Sequence, residues 1–302
     1  MRLRIATRQS ELAMWQARYV AQQLAALDDV DTAELVPMST RGDDILDRSL
    51  QKIGGKGLFI KELEIAMQAG KADIAVHSMK DVPANMPDGY CIAAVLERAD
   101  PTDALVTLDG GGLDSVPPGG RVGSSSLRRQ AQLLALRPDL EVAPLRGNVN
   151  TRLARLQLGK YDAIILASAG LKRLGLQSHI SQQLSPSQML PAAAQGVIGI
   201  ECMAHEVELR KILQKLEDSN ANITTLAERA VASELDASCQ SPLASFATLE
   251  DNTIRLNALV AAADGSNIIR ESGSGPAHDA EELGRRVAQQ LLDRGAAALL
   301  QQ

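Results

Sequence analysis

Short apolar runs alternate with amphipathic segments of helical period through residues 3–167, and few folds accept that order. The runs at 3–7, 35–38, 72–76, 91–96, 140–143 and 163–167 read as buried strands. Between them, helices are expected over 11–27 and 59–69, on to 136 and again to 158; Leu12, Trp15, Tyr19, Val20 and Leu24 form the apolar face of the first. Strands followed in turn by helices predict an α/β chain, with a parallel or mixed sheet wound on both faces.

At 302 residues the chain is long for a single core. The polar stretch Glu97-Arg98-Ala99-Asp100-Pro101-Thr102-Asp103 reads as a crossing into a second lobe. Pro191-Ala192-Ala193-Ala194-Gln195-Gly196 breaks the pattern again, ahead of a strand at 197–201 that can return to the first lobe. Two lobes joined twice make a hinged cleft. Helices at 205–216 and 223–235 follow, then apolar runs at 244–249, 254–262 and 267–271. Glu250-Asp251-Asn252 and Ala263-Asp264-Gly265 are short links, so a three-stranded antiparallel sheet is expected, closed by a helix over 280–292 in a smaller α+β domain. The expected domains are 1–98 with 195–216, then 99–194, then 217–302.

Lys and Arg number 31 against 37 Asp and Glu, a net charge of -6, and only 2% of residues are aromatic. That balance argues against nucleic acid, which needs positive charge and stacking rings. No apolar stretch approaches membrane-spanning length, and Arg8 interrupts the amino end before a signal segment forms, so a cytoplasmic protein with no membrane partner is expected. Cys91, Cys202 and Cys239 lack CxxC spacing, and His77, His179, His205 and His278 form no i,i+4 pair, so no metal site is indicated.

Candidate chemistry collects where strands give way to helices. The strand at 72–76 empties into His77-Ser78-Met79-Lys80-Asp81-Val82-Pro83, placing an acid beside a base at a sheet edge, where α/β folds bind ligands; an exposed ion pair is the plain alternative. Arg8-Gln9-Ser10 opens a helix and suits an anion, although an ordinary capped helix fits it too. Ser124-Ser125-Ser126-Leu127-Arg128-Arg129 is a stronger case, with hydroxyls, a helix start and two guanidiniums together. Arg146 and Arg152 recur at the next strand-to-helix turn, on the same edge if the strands are parallel, and Lys172 and Arg173 add two cations. Gly54, Gly55 and Gly57 lack the GxxxxGK[ST] order of a phosphate loop, so a nucleotide is not supported. Cys239 sits in the polar loop Asp236-Ala237-Ser238-Cys239-Gln240-Ser241-Pro242, unusual for a thiol, and is either a nucleophile or a covalent attachment point.

His77-Ser78-Met79-Lys80-Asp81-Val82-Pro83, Ser125-Ser126-Leu127-Arg128-Arg129, Arg146-Gly147-Asn148-Val149, the 192–196 segment and the Cys239 loop together closely resemble the porphobilinogen deaminase, or hydroxymethylbilane synthase, family. The resemblance runs from Arg4-Ile5-Ala6-Thr7-Arg8 into the last domain. It implies two lobes like those of periplasmic binding proteins and a third domain bearing a dipyrromethane cofactor, joined by a thioether to Cys239. The family condenses four porphobilinogen molecules head to tail with loss of ammonia, and water then releases the linear tetrapyrrole.

By the same resemblance Asp81 is the catalytic carboxylate, facing the cation left when ammonia departs. Ser78, Lys80, Asp81, Ser124, Ser125, Ser126, Arg128, Arg129, Arg146 and Gln195 are implied to hold the cofactor, and Arg8, Ser10, Arg146, Arg152 and Arg173 the substrate. Lys52 and Lys56 belong to a long loop that suits a lid, and a monomer is expected. Four positions depart from the family pattern: Ala237-Ser238 replaces the usual Gly-Gly before the cysteine, Met203 a frequent arginine and Asn150 a frequent glycine. None removes a group that the chemistry needs. A non-catalytic anion-binding protein is the competing reading; a cysteine-nucleophile transferase would require His77 or His205 beside Cys239.

Overall fold

The structure, a computed structural model, describes residues 1–40, 60–238 and 240–300. In chain order it runs β1 (Arg2–Arg8), α1 (Glu11–Ala25), β2 (Thr32–Met38), α2 (Lys61–Gln68), β3 (Ile74–Ser78) and β4 (Tyr90–Val95). Then come β5 (Asp103–Thr107), β6 (Arg121–Gly123), α3 (Leu127–Leu136), β7 (Glu141–Ala143), α4 (Val149–Gln157), β8 (Ala163–Ala167), α5 (Ser168–Arg173) and β9 (Gln182–Leu184). The remainder is β10 (Ile198–Met203), α6 (Val207–Leu213), α7 (Ser219–Glu234), β11 (Leu243–Glu250), β12 (Thr253–Ala261), β13 (Ile268–Pro276), α8 (Ala280–Asp293) and α9 (Ala296–Leu300). The chain divides into two compact units, Met1–Ala99 with Val197–Asn222, and Asp100–Gly196 with Ile223–Gln302.

The first unit is built on a five-stranded sheet ordered β2-β1-β3-β10-β4. β1 pairs in parallel with β2 and β3, whereas β10 runs antiparallel to both its neighbours. Leu3, Ile5, Ile74, Val76 and Ile200 face a core closed by Val20 and Leu24 of α1 and by Leu209 and Leu213 of α6. On the opposite face Ala6 and Ala75 meet Leu63, Ala66 and Met67 of α2. Apolar residues on both faces of each strand are what the continuous runs in the sequence require, so the sheet is wound on both sides.

The second unit repeats that plan in the order β7-β6-β8-β5-β9. β7, β6 and β8 are mutually parallel, β5 is antiparallel to β8, and β9 is antiparallel to β5. Leu133 of α3 covers one face; Leu153 and Leu156 of α4 and Leu171 of α5 cover the other. The same unit holds the antiparallel sheet β11-β12-β13, whose core joins Ala227 and Val231 of α7 to Leu283, Val287 and Leu291 of α8. Ala131 and Leu190 pack with Ala244, Leu259 and Ala261, seating this sheet against α3.

Three details depart from the sequence expectations. β5 is a central strand although only Ala104, Leu105 and Val106 are apolar; its first residue, Asp103, had the polarity of a linker but is wholly buried. β9 is too short and polar to be seen as a strand. β13 continues past Glu271 to Pro276, because the ladder with β12 persists where the apolar pattern gives out. Gly273 allows this: a β-carbon there would lie 2.8 Å from Leu283 Cδ1, so its absence lets α8 pack onto the strand.

Candidate active site

In the first unit the parallel strands β1 and β3 end side by side, bringing Arg8 and Ser10 to the same sheet edge as Ser78, Lys80 and Asp81. Ser10 is the N-cap of α1, accepting from the Ala13 amide at 3.4 Å, so its hydroxyl anchors the helix start beside Arg8. Met79–Asp81 is a single 3₁₀ turn closed by the Val82 amide on the Met79 carbonyl at 3.1 Å. Buried Met79 donates its amide to Val197 O at 3.0 Å and fixes the turn to the sheet, while Lys80 and Asp81 stay half-buried at its rim. Ser78 is held by Gln16 of α1, whose Nε2 donates to its hydroxyl at 2.8 Å. Gln16 does not stand out in the sequence, since a polar residue on a helix carries no signal of what it meets.

Behind this edge lies a buried acidic cluster. His77 Nε2 is 2.7 Å from Glu201 Oε2, with Glu201 wholly buried on β10. Glu64 of α2 is also buried, and burial together with the neighbouring Glu201 charge raises its pKa against the opposing pull of His77 and Lys61. His77 is thus a core histidine engaged by a carboxylate, and His205 is exposed and near Glu206.

Glu64 gives a pH prediction. Unfolded, its carboxyl loses its proton near pH ~4.3. The folded chain keeps that proton to a higher pH, so above the unfolded value folding must retain a proton that the open chain has released. Stability is therefore lost as pH rises through the window between the unfolded and folded pKa values, and is constant on either side. Glu64→Gln removes this cost, so its stability relative to the wild type should grow between pH 4 and neutrality. Urea midpoints of both proteins across that range check it; a constant difference would show that Glu64 titrates alike in both states.

In the second unit β7, β6 and β8 end at one edge, and the turns leaving them carry Ser124, Ser125, Ser126, Arg128, Arg129, Arg146 and Arg152. Ser126 caps α3, accepting from the Arg129 amide at 3.4 Å, and its own amide donates to Ser124 Oγ at 3.2 Å. Ser125 Oγ donates to Leu145 O and accepts from Leu145 N, both at 3.0 Å, so one hydroxyl laces the two neighbouring turns together. Asn148 caps α4, Gly147 turns the chain at a φ of +103°, which glycine adopts without strain, and Arg152 Nε donates to Gly147 O at 2.8 Å.

Asp103 organises the cations here. It starts β5, antiparallel to β8, and so stands at the same edge. Its Oδ2 accepts from Arg128 Nη1 at 2.7 Å and its Oδ1 from Arg129 Nε at 2.9 Å, while Gln195 Nε2 donates to Oδ1 at 3.1 Å. Arg128 and Arg129 are about as buried as the core, each also donating to a carbonyl, Leu190 O and Ile165 O. Arg173 Nη2 reaches Gly196 O at 2.8 Å, and Glu228 accepts from the amides of Ala194 and Ala247, fixing the segment around Gln195. Neither Asp103 nor Glu228 stands out in the sequence, because their partners lie 19 or more positions away.

Removing one member of a buried ion cluster leaves the others uncompensated. Asp103→Asn should therefore cost about 3–5 kcal/mol of stability in this unit. Equilibrium denaturation checks this; a loss below about 1 kcal/mol would mean that the guanidiniums find other partners without cost.

The donor set at this edge suits a polyanion of planar carboxylates: guanidiniums that form forked bonds, helix starts and serine hydroxyls. Cys239, Lys52 and Lys56 lie outside the described residues. Among the described residues no group of His, Cys, Asp and Glu could hold a metal ion, and no helix is long and apolar enough to cross a membrane.

Comparison with known proteins gives the same direction. A family model described as porphobilinogen deaminase, dipyromethane cofactor binding domain, matches residues 3–211, and one for the porphobilinogen deaminase C-terminal domain matches 222–293. The porphobilinogen deaminase of Chromobacterium violaceum is 54% identical over 296 residues, covering 98% of this chain and 96% of the relative. Among solved structures, a periplasmic VFT2 domain of Bordetella pertussis BvgS has a TM-score of 0.44 at 17% identity, over 71% of this chain and 86% of that one. The probable amino-acid ABC transporter extracellular-binding protein YtmK of Bacillus subtilis has a TM-score of 0.42 at 13% identity, over 72% and 90%.

Proposed function

The chain belongs to the porphobilinogen deaminase family, and from that membership we propose how its own residues divide the work. The family enzyme is a transferase, hydroxymethylbilane synthase, which joins four porphobilinogen molecules head to tail with loss of ammonia and frees the linear tetrapyrrole of haem biosynthesis by hydrolysis. Its dipyrromethane cofactor, bound covalently, supplies the pyrrole end from which the product grows.

The observation that carries the assignment of residues is the set of cations and helix starts at the ends of β6 and β7. Each pyrrole brings an acetate and a propionate. Arg128, Arg129 and Arg146, with Ser124, Ser125, Ser126, Gln195, Ser78 and Lys80, are proposed to hold the cofactor carboxylates. Arg8, Ser10, Arg146, Arg152 and Arg173 are proposed to hold those of the substrate. Asp103 accepts from both Arg128 and Arg129 and so fixes the two guanidiniums in place at this edge.

Asp81 is the proposed catalytic group. Loss of ammonia leaves a cationic azafulvene: as the acid, Asp81 gives a proton to the departing amine, and the half-buried carboxylate that results stabilises the cation and takes a proton from the pyrrole carbon after bond formation. Cys239 is the proposed thioether attachment point. The proposed organisation keeps three domains, 1–98 with 195–216, 99–194 and 217–302, in a monomeric cytoplasmic enzyme acting on a small molecule.

Incubation with porphobilinogen tests the reading against that of a non-catalytic anion binder. Release of one ammonia per porphobilinogen consumed, with a linear tetrapyrrole as product, is expected. Saturable binding of porphobilinogen without ammonia release would overturn it.

A further inference from the structure

Cys91 and Cys202 form a feature that the pyrrole chemistry does not use. They stand directly opposite one another in the antiparallel pair of β4 and β10, with their sulfurs 3.8 Å apart. We propose that these two thiols are a modification site, at which a peroxide converts them to a cross-strand disulfide.

Geometry allows the bond without moving the strands. Facing residues of an antiparallel pair have Cα atoms about 4.5–5.5 Å apart, inside the range of about 4.4–6.8 Å found for disulfides. Closing the sulfurs to about 2.05 Å then needs only rotation of the side chains. The strands continue in register through Glu201 and Ile92 on one side and Met203 and Tyr90 on the other, so the pair is held face to face.

The two thiols differ in access, which sets the order of events. Cys91 is partly exposed, on the edge strand of the sheet, whereas Cys202 is wholly buried. Burial, then the adjacent Cys91, push the Cys202 thiol up to about 12, so it stays protonated. Cys91 is thus the entry point. Its thiolate sulfur attacks one peroxide oxygen, the O–O bond breaks, and the other oxygen leaves with a proton as water or alcohol. The Cys202 sulfur next attacks the Cys91 sulfenic acid; its S–O bond breaks, and the hydroxyl leaves as water with the Cys202 proton. The sulfurs lose two electrons and the peroxide gains them. The product clips edge strand β4 to β10 and closes a chain loop that spans the whole of 92–201, restricting the unfolded state.

The test treats holoenzyme with hydrogen peroxide, traps remaining thiols by alkylation and maps the peptides. The expected result is a Cys91 peptide joined to a Cys202 peptide, an intact mass lower by about 2 Da, reversal by a dithiol and a thermal midpoint raised by about 3 °C or more. Cys202→Ser should instead accumulate a trappable sulfenic acid at Cys91, and Cys91→Ser should leave Cys202 reduced. Two alkylated thiols in the treated wild type, or Cys91 carrying added oxygen with no link to Cys202, would overturn the proposal, and the wild-type map decides it if either variant fails to fold.

Discussion

Asp81→Ala is expected to lower kcat by about a thousandfold, with a smaller change in KM for porphobilinogen and an unaltered circular dichroism spectrum. The size follows from what a positioned carboxylate does for a cation that exists only after ammonia has left: its attraction is strongest near the transition state, so its loss falls on kcat. The fold should survive because the 3₁₀ turn is held by Met79, through its burial and its amide bond to Val197, and not by the half-buried Asp81 side chain. Asp81→Glu keeps the charge but moves it outward by a methylene, and should recover part of the rate. A kcat within tenfold of the wild type in Asp81→Ala would remove Asp81 from the chemistry.

Cys239→Ser has the other large effect. A serine hydroxyl at that position is a far weaker nucleophile than a thiolate at neutral pH, so the covalent primer should not form. The purified variant should have the mass of the bare chain and no measurable tetrapyrrole synthesis. Ala237 and Ser238 precede the cysteine where the family has glycines, yet attachment needs only the thiol, so the wild type should load fully. Normal turnover in Cys239→Ser would show that the primer is held without this bond.

Much of this architecture is legible because the apolar alternation dictates it. Runs such as Ala75 and Val76 beside Ile74 bury both faces and demand covering helices, and once strands are parallel, Arg128, Arg129, Arg146 and Arg152 must leave from one edge. What periodicity hides is a polar residue whose partner is distant. Asp103 read as linker because its arginines follow 25 and 26 positions later, and His77 meets Glu201 across 124 positions. The serines show a second limit. Their pattern marks a helix start, but whether a hydroxyl faces a ligand or its own backbone depends on local dihedral angles, and Ser125 and Ser126 are both engaged with neighbouring backbone. The third sheet is legible up to Glu271, where glycine and serine end the apolar signal while the ladder continues.

The most direct measurement is the intact mass of the wild-type protein, alone and after limiting porphobilinogen. A covalently primed polymerase should exceed its chain mass by two linked pyrrole units and then show further species, each one pyrrole unit heavier. A protein that turns porphobilinogen over while its mass stays that of the bare chain would contradict growth on a tethered primer.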